Sequence, residues 1–252
     1  MKNVSLGKKI KGWDYIPNTI NDKNGIDLLN GEPLPYKDKS VDNVYIDHVL
    51  EQLPDNSVIN LLRECHRIMK RGGILRIAAI NSTFYYHAHN RGDKEAFYGL
   101  AEILLQSDAG FKYDYFRASI DQLFLLTFAT QLSDLVGGCF RVTYEDMVDG
   151  SAVSVDNDLT KVINDIGFVN ALTKVLQENI DIEEHKKNPF FINWMTIGKL
   201  HDILLKQINP EIQKGFNVVY INSYGQSSSQ LMRDTTQFDT FPQGSLFLEC
   251  WR

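Results

Sequence analysis

At 252 residues, with 43% hydrophobic and 11% aromatic residues, the chain is long enough to bury a substantial core, and this composition excludes disorder. Its formal net charge of -6 removes the field that would draw in a phosphate backbone, so nucleic acid is excluded as a partner and small-molecule substrates are favoured. Cys65, Cys139 and Cys250 stand far apart and form no C-x-x-C pair, which argues against a zinc site or redox couple and fits a reduced, cytoplasmic setting.

The first ten residues lack the apolar core of a signal peptide, and no apolar run reaches the length of a membrane span, so a soluble, intracellular protein is expected. Residues 4–6 read as a first strand turning at Gly7, and residues 13–16 as a second strand before a Pro17-Asn18 turn. Residues 41–46 alternate β-branched and aromatic residues with polar ones, the pattern of a central strand. A helix follows, with Asp55 or Asn56 as N-cap. Its apolar face is Val58, Leu61, Leu62, Cys65, Ile68 and Met69, and Gly72-Gly73 are expected to stop it. Residues 74–80 form a nearly continuous apolar strand, as expected of one buried on both faces of a parallel sheet, which gives a right-handed strand-helix-strand crossover.

From about 81 to 188 the pattern turns helical, most clearly over 96–105, 120–136 and 159–176, and reads as an inserted cap. An amphipathic stretch over 194–208 and strands over 216–221 and 245–250 close the chain as an antiparallel hairpin. The expected architecture is one α/β domain with a doubly wound, mostly parallel Rossmann-like sheet. Its core is 1–82 and 190–252, with a helical cap over 83–189. In such a sheet, ligands lie outside the carboxyl ends of the strands where strand order reverses, so the turns at Gly7, Asp27-Leu28 and Asp47-His48 and the segment after residue 80 are the places to look.

Read together, IDLLNGEPLPYKDKSVDNVYIDHVLEQLP and LLRECHRIMKRGGILRIA resemble the middle of a class I S-adenosylmethionine-dependent methyltransferase of the small-molecule-modifying type. The closing run of Tyr224-Gly225-Gln226-Ser227, Arg233 and Phe238-Asp239 before the last strand resembles that family's ending. The resemblance implies S-adenosylmethionine as cofactor. Gly7 stands in the place of the glycine-rich loop. Asp27 would accept the adenine amino group, and the backbone amide of Leu28 would meet a ring nitrogen. Asp47 and His48 would line the methionine end. The chain departs from the family pattern at three places. Lys8-Lys9-Ile10-Lys11 follow Gly7 where a second glycine is expected, Pro17 stands where an acid usually holds the ribose, and Gln52 replaces a histidine. Asp14 or Asp22 would have to substitute for that acid.

His48 has the chemistry to orient an acceptor hydroxyl or take its proton, or alternatively to hydrogen-bond and pack. Glu51 reads as support for the helix start. The segment Phe84-Tyr85-Tyr86-His87-Ala88-His89 places aromatic and imidazole groups after a sheet strand, and if it were extended, His87 and His89 would share a face. No third ligand follows at metal spacing, so Tyr85, Tyr86, His87 and His89 are expected to shape an acceptor site rather than hold a metal. Arg233 has the geometry to grip a phosphate or carboxylate, or to serve a structural salt bridge. The expected function is methyl transfer to a small molecule. By family analogy the acceptor is an oxygen on a sugar, nucleotide-linked sugar or phosphorylated metabolite of surface polysaccharide synthesis; the partners expected besides it are a second copy in a homodimer or a homologous methyltransferase. The alternative is a methyltransferase-like partner or stabilising subunit that has lost its cofactor. A nicotinamide enzyme is disfavoured, because no G-x-G-x-x-G follows the first strand.

Overall fold

The computed structural model describes residues 1–17, 25–99, 112–113, 119–128, 141–142, 164–187, 191–209, 211 and 215–252. Asp22, Cys139, most of the helix expected over 96–105 and the latter part of the one expected over 120–136 therefore lie outside the described residues. The chain divides into two compact units, Met1–Asn81 with Met195–Arg252, and Ser82–Trp194.

The first unit is built on a six-stranded sheet in the order β2-β1-β3-β4-β8-β7. Its strands are β1 (Asn3–Leu6), β2 (Asp14–Ile16), β3 (Val41–Asp47), β4 (Met69–Ile80), β7 (Val218–Asn222) and β8 (Ser245–Trp251). The pairs β1/β2, β1/β3 and β3/β4 are parallel, and β8 is antiparallel to both β4 and β7. The chain leaves β1 for β2 on one side and returns to β3 on the other. This puts the reversal of strand order, and with it the ligand crevice of a doubly wound fold, at the carboxyl ends of β1 and β3. The core beneath is apolar, with Val4, Leu6, Val44, Ile46, Leu75 and Ile77 from the sheet buried against Val58, Leu62 and Ile68 of helix α1 (Asp55–Ile68).

Two boundaries differ from the sequence expectation. Pro54, in extended conformation, holds the N-cap position of α1, and Asp55 is the first helical residue, where its charge complements the helix dipole. The helix also ends earlier than Gly72-Gly73: Met69 is already extended and pairs with Val41, and the register then jumps to Asn43 opposite Ile74. The residues between form an irregularity inside β4. Gly72 sits there at φ +78°, and a side chain on Gly73 would stand 2.5 Å from the Asp42 carbonyl oxygen, so the glycines permit a bulge rather than stop a helix. Near the rejoining point, Thr196 caps α6 (Ile197–Asp202) by accepting from Lys199 N–H at 3.1 Å, and the helix widens into a π-turn over Ile203–Gln207.

β4 carries one residue foreign to a buried strand. Arg76 has no exposure, and neither do its partners Asp239 and Glu249. Its Nε donates to Asp239 Oδ1 at 3.0 Å, its Nη2 to Asp239 Oδ2, and its Nη1 to Glu249 Oε1 at 2.9 Å. Glu249 faces Arg76 directly in the β4/β8 register and also accepts from Ser227 Oγ and from Ser228 N–H at 2.8 Å. Gly225 N–H donates to Asp239 at 3.1 Å. The Tyr224 to Ser229 turn, the Phe238-Asp239 pair and the last strand are thereby fastened to one guanidinium. Burial works against the charge of Glu249, but the hydroxyl and amide donors and Arg76 more than offset it, and its carboxyl is held below the ordinary range.

The second unit contains α2 (Ser82–Arg91), a 3-10 turn Glu95–Phe97, α3 (Ile120–Leu126), α4 (Phe168–Asn179) and α5 (Ile182–Lys187). It also has a short antiparallel pair, β5 (Lys112–Tyr113) with β6 (Arg141–Val142), which the helical reading of this region missed. Gly167, at φ +81°, stands at the N-cap of α4, so the helix expected over 159–176 starts anew at Phe168. No helix among the described residues is long and apolar enough to cross a membrane.

Candidate functional site

Gly7 ends β1 with φ +83°, and a Cβ there would collide with the Asp47 carbonyl oxygen and stand 2.8 Å from Val49. The loops after β1 and β3 thus touch at the switch point, and only a residue without a side chain lets them do so. Asp47, half-buried, receives the Tyr45 hydroxyl on Oδ1 at 3.0 Å. Tyr45 in turn accepts from Asp239 N–H at 2.9 Å, which connects the site to the Arg76 cluster.

His48 follows with φ +51°, a strained value for a residue with a side chain. Its N–H donates to the Ala78 carbonyl at 3.0 Å, and its carbonyl accepts from Gln52 Nε2 at 3.2 Å, so β4 and the 3-10 turn that follows hold this conformation. The imidazole is 13% exposed. Nδ1 lies 3.1 Å from Oε1 of the fully buried Glu51, Nε2 lies 3.3 Å from Ser245 Oγ at the start of β8, and the Phe241 ring meets it edge-on at 5.8 Å. Burial pushes the imidazolium down. The hydrogen bond and charge of Glu51, with Asp47 and Asp239 behind it, outweigh that, and the net direction is upward from 6.5.

Asp27 lies at the same edge of the sheet, because Ile26 N–H donates to the Pro17 carbonyl at 2.9 Å beside the end of β2. Its turn is locked: its carboxylate accepts Asn30 N–H at 3.1 Å and Asn30 Nδ2 at 2.6 Å, its N–H donates to Glu32, and Ser57 Oγ of α1 donates to the Leu29 carbonyl. Leu28 is buried, and its N–H is directed at the Ile26 carbonyl at 2.9 Å, so a role for that amide with a ring nitrogen requires this turn to open. Arg67 pins the rest of the loop through the carbonyls of Leu34 and Tyr36 and the carboxylates of Asp38 and Glu64.

Asp14 stands at the amino end of β2, opposite Val4, where it accepts the Tyr36 hydroxyl at 3.4 Å. It is at the wrong end of the strand to hold a ribose, and Pro17 occupies the carboxyl end. Arg233 is exposed, with Nε donating to the Ser227 carbonyl at 2.8 Å. In the second unit, Tyr85, Tyr86, His87 and His89 lie on helix α2, not on an extended segment. Tyr85 and His89 point inward with Ala88 while His87 is exposed, so the two histidines do not share a face. His89 Nε2 lies 2.5 Å from Asp121, and Tyr86 stacks on Phe168 at 4.1 Å.

The structure therefore gathers Gly7, Asp47 and His48 at one point and adds Glu51, Ser245 and Phe241, which the sequence reading had not placed there. The i, i+3 spacing of His48 and Glu51 was the available signal.

Residues 4–77 match the family model described as a methyltransferase domain. No curated protein matches. Among solved structures, the whole chain aligns with 86% of a SAM-dependent methyltransferase from Archaeoglobus fulgidus (12% identity, TM-score 0.40). It also aligns with 90% of an S-adenosylmethionine-dependent methyltransferase from Mesorhizobium loti (14% identity, TM-score 0.38). A third similar structure is a SAM-dependent methyltransferase, possible histamine N-methyltransferase, from Thermotoga maritima, with 99% of this chain and 81% of that one covered (10% identity, TM-score 0.34). The residues that match the methyltransferase-domain model run from β1 into β4 and contain Gly7, Asp27, Asp47, His48 and Glu51 on both sides of the switch point.

Proposed function

We propose that the protein transfers a methyl group from S-adenosylmethionine to an oxygen of a small molecule. The observation that carries this reading is the placement of His48: an imidazole at the carboxyl end of β3, beside Gly7 at the switch point, with Nε2 already 3.3 Å from a hydroxyl. When bound, the cofactor supplies an electrophilic methyl group on a sulfonium. The residues present fit its methionine end, where Gly7 keeps the loop bare and the partly exposed Asp47 offers a negative charge to an ammonium group. Asp27 is proposed for the adenine amino group, with Leu28 beside it.

The chain's own task is to align the acceptor, exclude water and remove a proton. Neutral His48 takes the hydroxyl proton at Nε2. Tyr86 and the exposed His87 of the inserted unit are proposed for acceptor recognition, and Arg233 for an anionic group on it, whereas Tyr85 and His89 are buried inside their own unit. By family analogy the proposed acceptor is a sugar, nucleotide-linked sugar or phosphorylated metabolite, such as the building blocks of surface polysaccharides, handled in the cytoplasm. Because His48 binds its proton more tightly than a free imidazole, kcat/KM is expected to rise with pH through an ionisation above 6.5.

One observation favours a second reading, a partner subunit without cofactor: Pro17 directly follows β2, and the strand's only acid, Asp14, stands at the other end. Calorimetric titration of ligand-stripped protein with S-adenosylmethionine and S-adenosylhomocysteine separates the two. Saturable binding at micromolar concentration supports the enzyme, and a screen of sugars and phosphorylated metabolites follows. Absence of heat with both ligands overturns it in favour of the subunit.

A further inference from the structure

We infer that Glu51 is the positioning residue that makes His48 a base, and that Ser245 completes the chain Glu51–His48–Ser245 at the ends of three strands. This rests on the methyl-transfer reading for its kinetic consequence only. Glu51 lies in the 3-10 turn Leu50–Gln52, is fully buried, and its Oε1 takes both His48 Nδ1 and the Ile80 N–H at the end of β4. Its Oε2 has no hydrogen-bond partner among the described residues. A helix-start residue has no need of such burial. A buried carboxylate with one unmatched oxygen is costly, and the Ile80 N–H on Oε1 and a positive charge beside it both offset that cost. The imidazolium of His48 is that charge.

The geometry dictates the proton inventory. A carboxylate accepts, so the proton of neutral His48 resides on Nδ1, and Nε2 is left with its lone pair toward Ser245 Oγ. An acceptor hydroxyl bound there gives its proton to Nε2, directly or by displacement through the Ser245 hydroxyl. The resulting imidazolium would rest against Glu51, and the acceptor oxygen would keep the electron pair that forms the new bond to the methyl carbon while the carbon–sulfur bond of the sulfonium breaks and its electron pair stays on sulfur as the thioether leaves. The groups facing His48 are Glu51 from its own turn, Asp47 from β3, Asp239 from the loop before β8, the Ser245 hydroxyl and the Phe241 ring. Among the described residues, only Glu51 contacts the imidazole with a carboxylate.

The test is nitrogen and carbon NMR of histidine-labelled protein without cofactor, titrated with acid and base. In the unaltered chain, neutral His48 is expected as the Nδ1–H tautomer. Glu51→Gln is expected to weaken its proton affinity about tenfold, a downward displacement of about one pH unit. An Nε2–H tautomer, or the same titration in Glu51→Gln, overturns the inference. The tautomer is read in the native chain, so the answer survives even if the variant does not fold. In turnover, Glu51→Gln should move the acid limb of kcat/KM to lower pH and lower kcat with KM for S-adenosylmethionine unchanged, whereas a structural role would change stability without moving the limb. Failure to bind S-adenosylmethionine would overturn the methyl-transfer reading and leave the tautomer measurement to decide the role of Glu51.

Discussion

Gly7 has two separate reasons to be glycine, a positive φ and the Asp47 carbonyl oxygen in the place a Cβ would take. Gly7→Ala is expected to cost at least about 1–3 kcal/mol from backbone strain alone. Because the clash is with main chain, the β1 and β3 loops must also part. The expected outcome is a lower denaturant midpoint together with loss of S-adenosylmethionine heat, whereas Gly12→Ala, whose Cβ meets nothing within 4 Å, should leave the cofactor heat in place. His48 makes the opposite case, a side chain kept in a glycine-like conformation because both of its ring nitrogens have work. Its raised folded-state pKa means that the stability it contributes is fully present below about 6.5, the unfolded value, and is lost as pH rises through the higher folded value. Urea midpoints should therefore fall between neutral and mildly alkaline pH, and His48→Asn should flatten that slope.

Among the elements, β4 was the most legible and the most misread. Its apolar run over 74–80 announced a strand buried on both faces, yet Arg76 in the middle of that run was passed over, although an arginine inside a buried strand demands an acid across the ladder. Glu249, in the last strand, was in plain view. The Gly72-Gly73 pair was read as a helix stop because glycine ends helices more often than it opens a bulge, and only the approach of the Asp42 carbonyl distinguishes the two. Arg76→Met is expected to cost about 3–5 kcal/mol, because it strands two buried carboxylates. The lowered pKa of Glu249 has the opposite sign to that of His48. Its stabilisation is present above the unfolded carboxylate value and is lost as pH falls through the lower folded one. Acid unfolding followed by near-ultraviolet dichroism should begin at higher pH in Glu249→Gln, where the remaining fall no longer includes this group.

In the molecule as a whole, the alternating and apolar runs made the strand-helix-strand unit and the closing hairpin readable, because periodicity survives in a single sequence. The site was legible where one segment carried it, as at Asp47-His48. It was illegible where strands distant in sequence meet, as when Ser245 approaches His48, since no local pattern records a register across 197 positions. The first unit holds both ends of the chain around an insertion, and its core of sheet strands and α1 is apolar without help from the second. A chain with residues 83–193 replaced by a flexible linker is thus expected to keep a cooperative thermal transition, measurable by calorimetry.

The cluster of Arg76, Asp239 and Glu249 also sets the paths open to descent. Losing any one member leaves an uncompensated charge in the interior, while exchanging all three for apolar residues of similar volume need cost little. Lineages of this chain should therefore hold all three charges or none, and the rare intermediates should survive only on backgrounds stable enough to carry them.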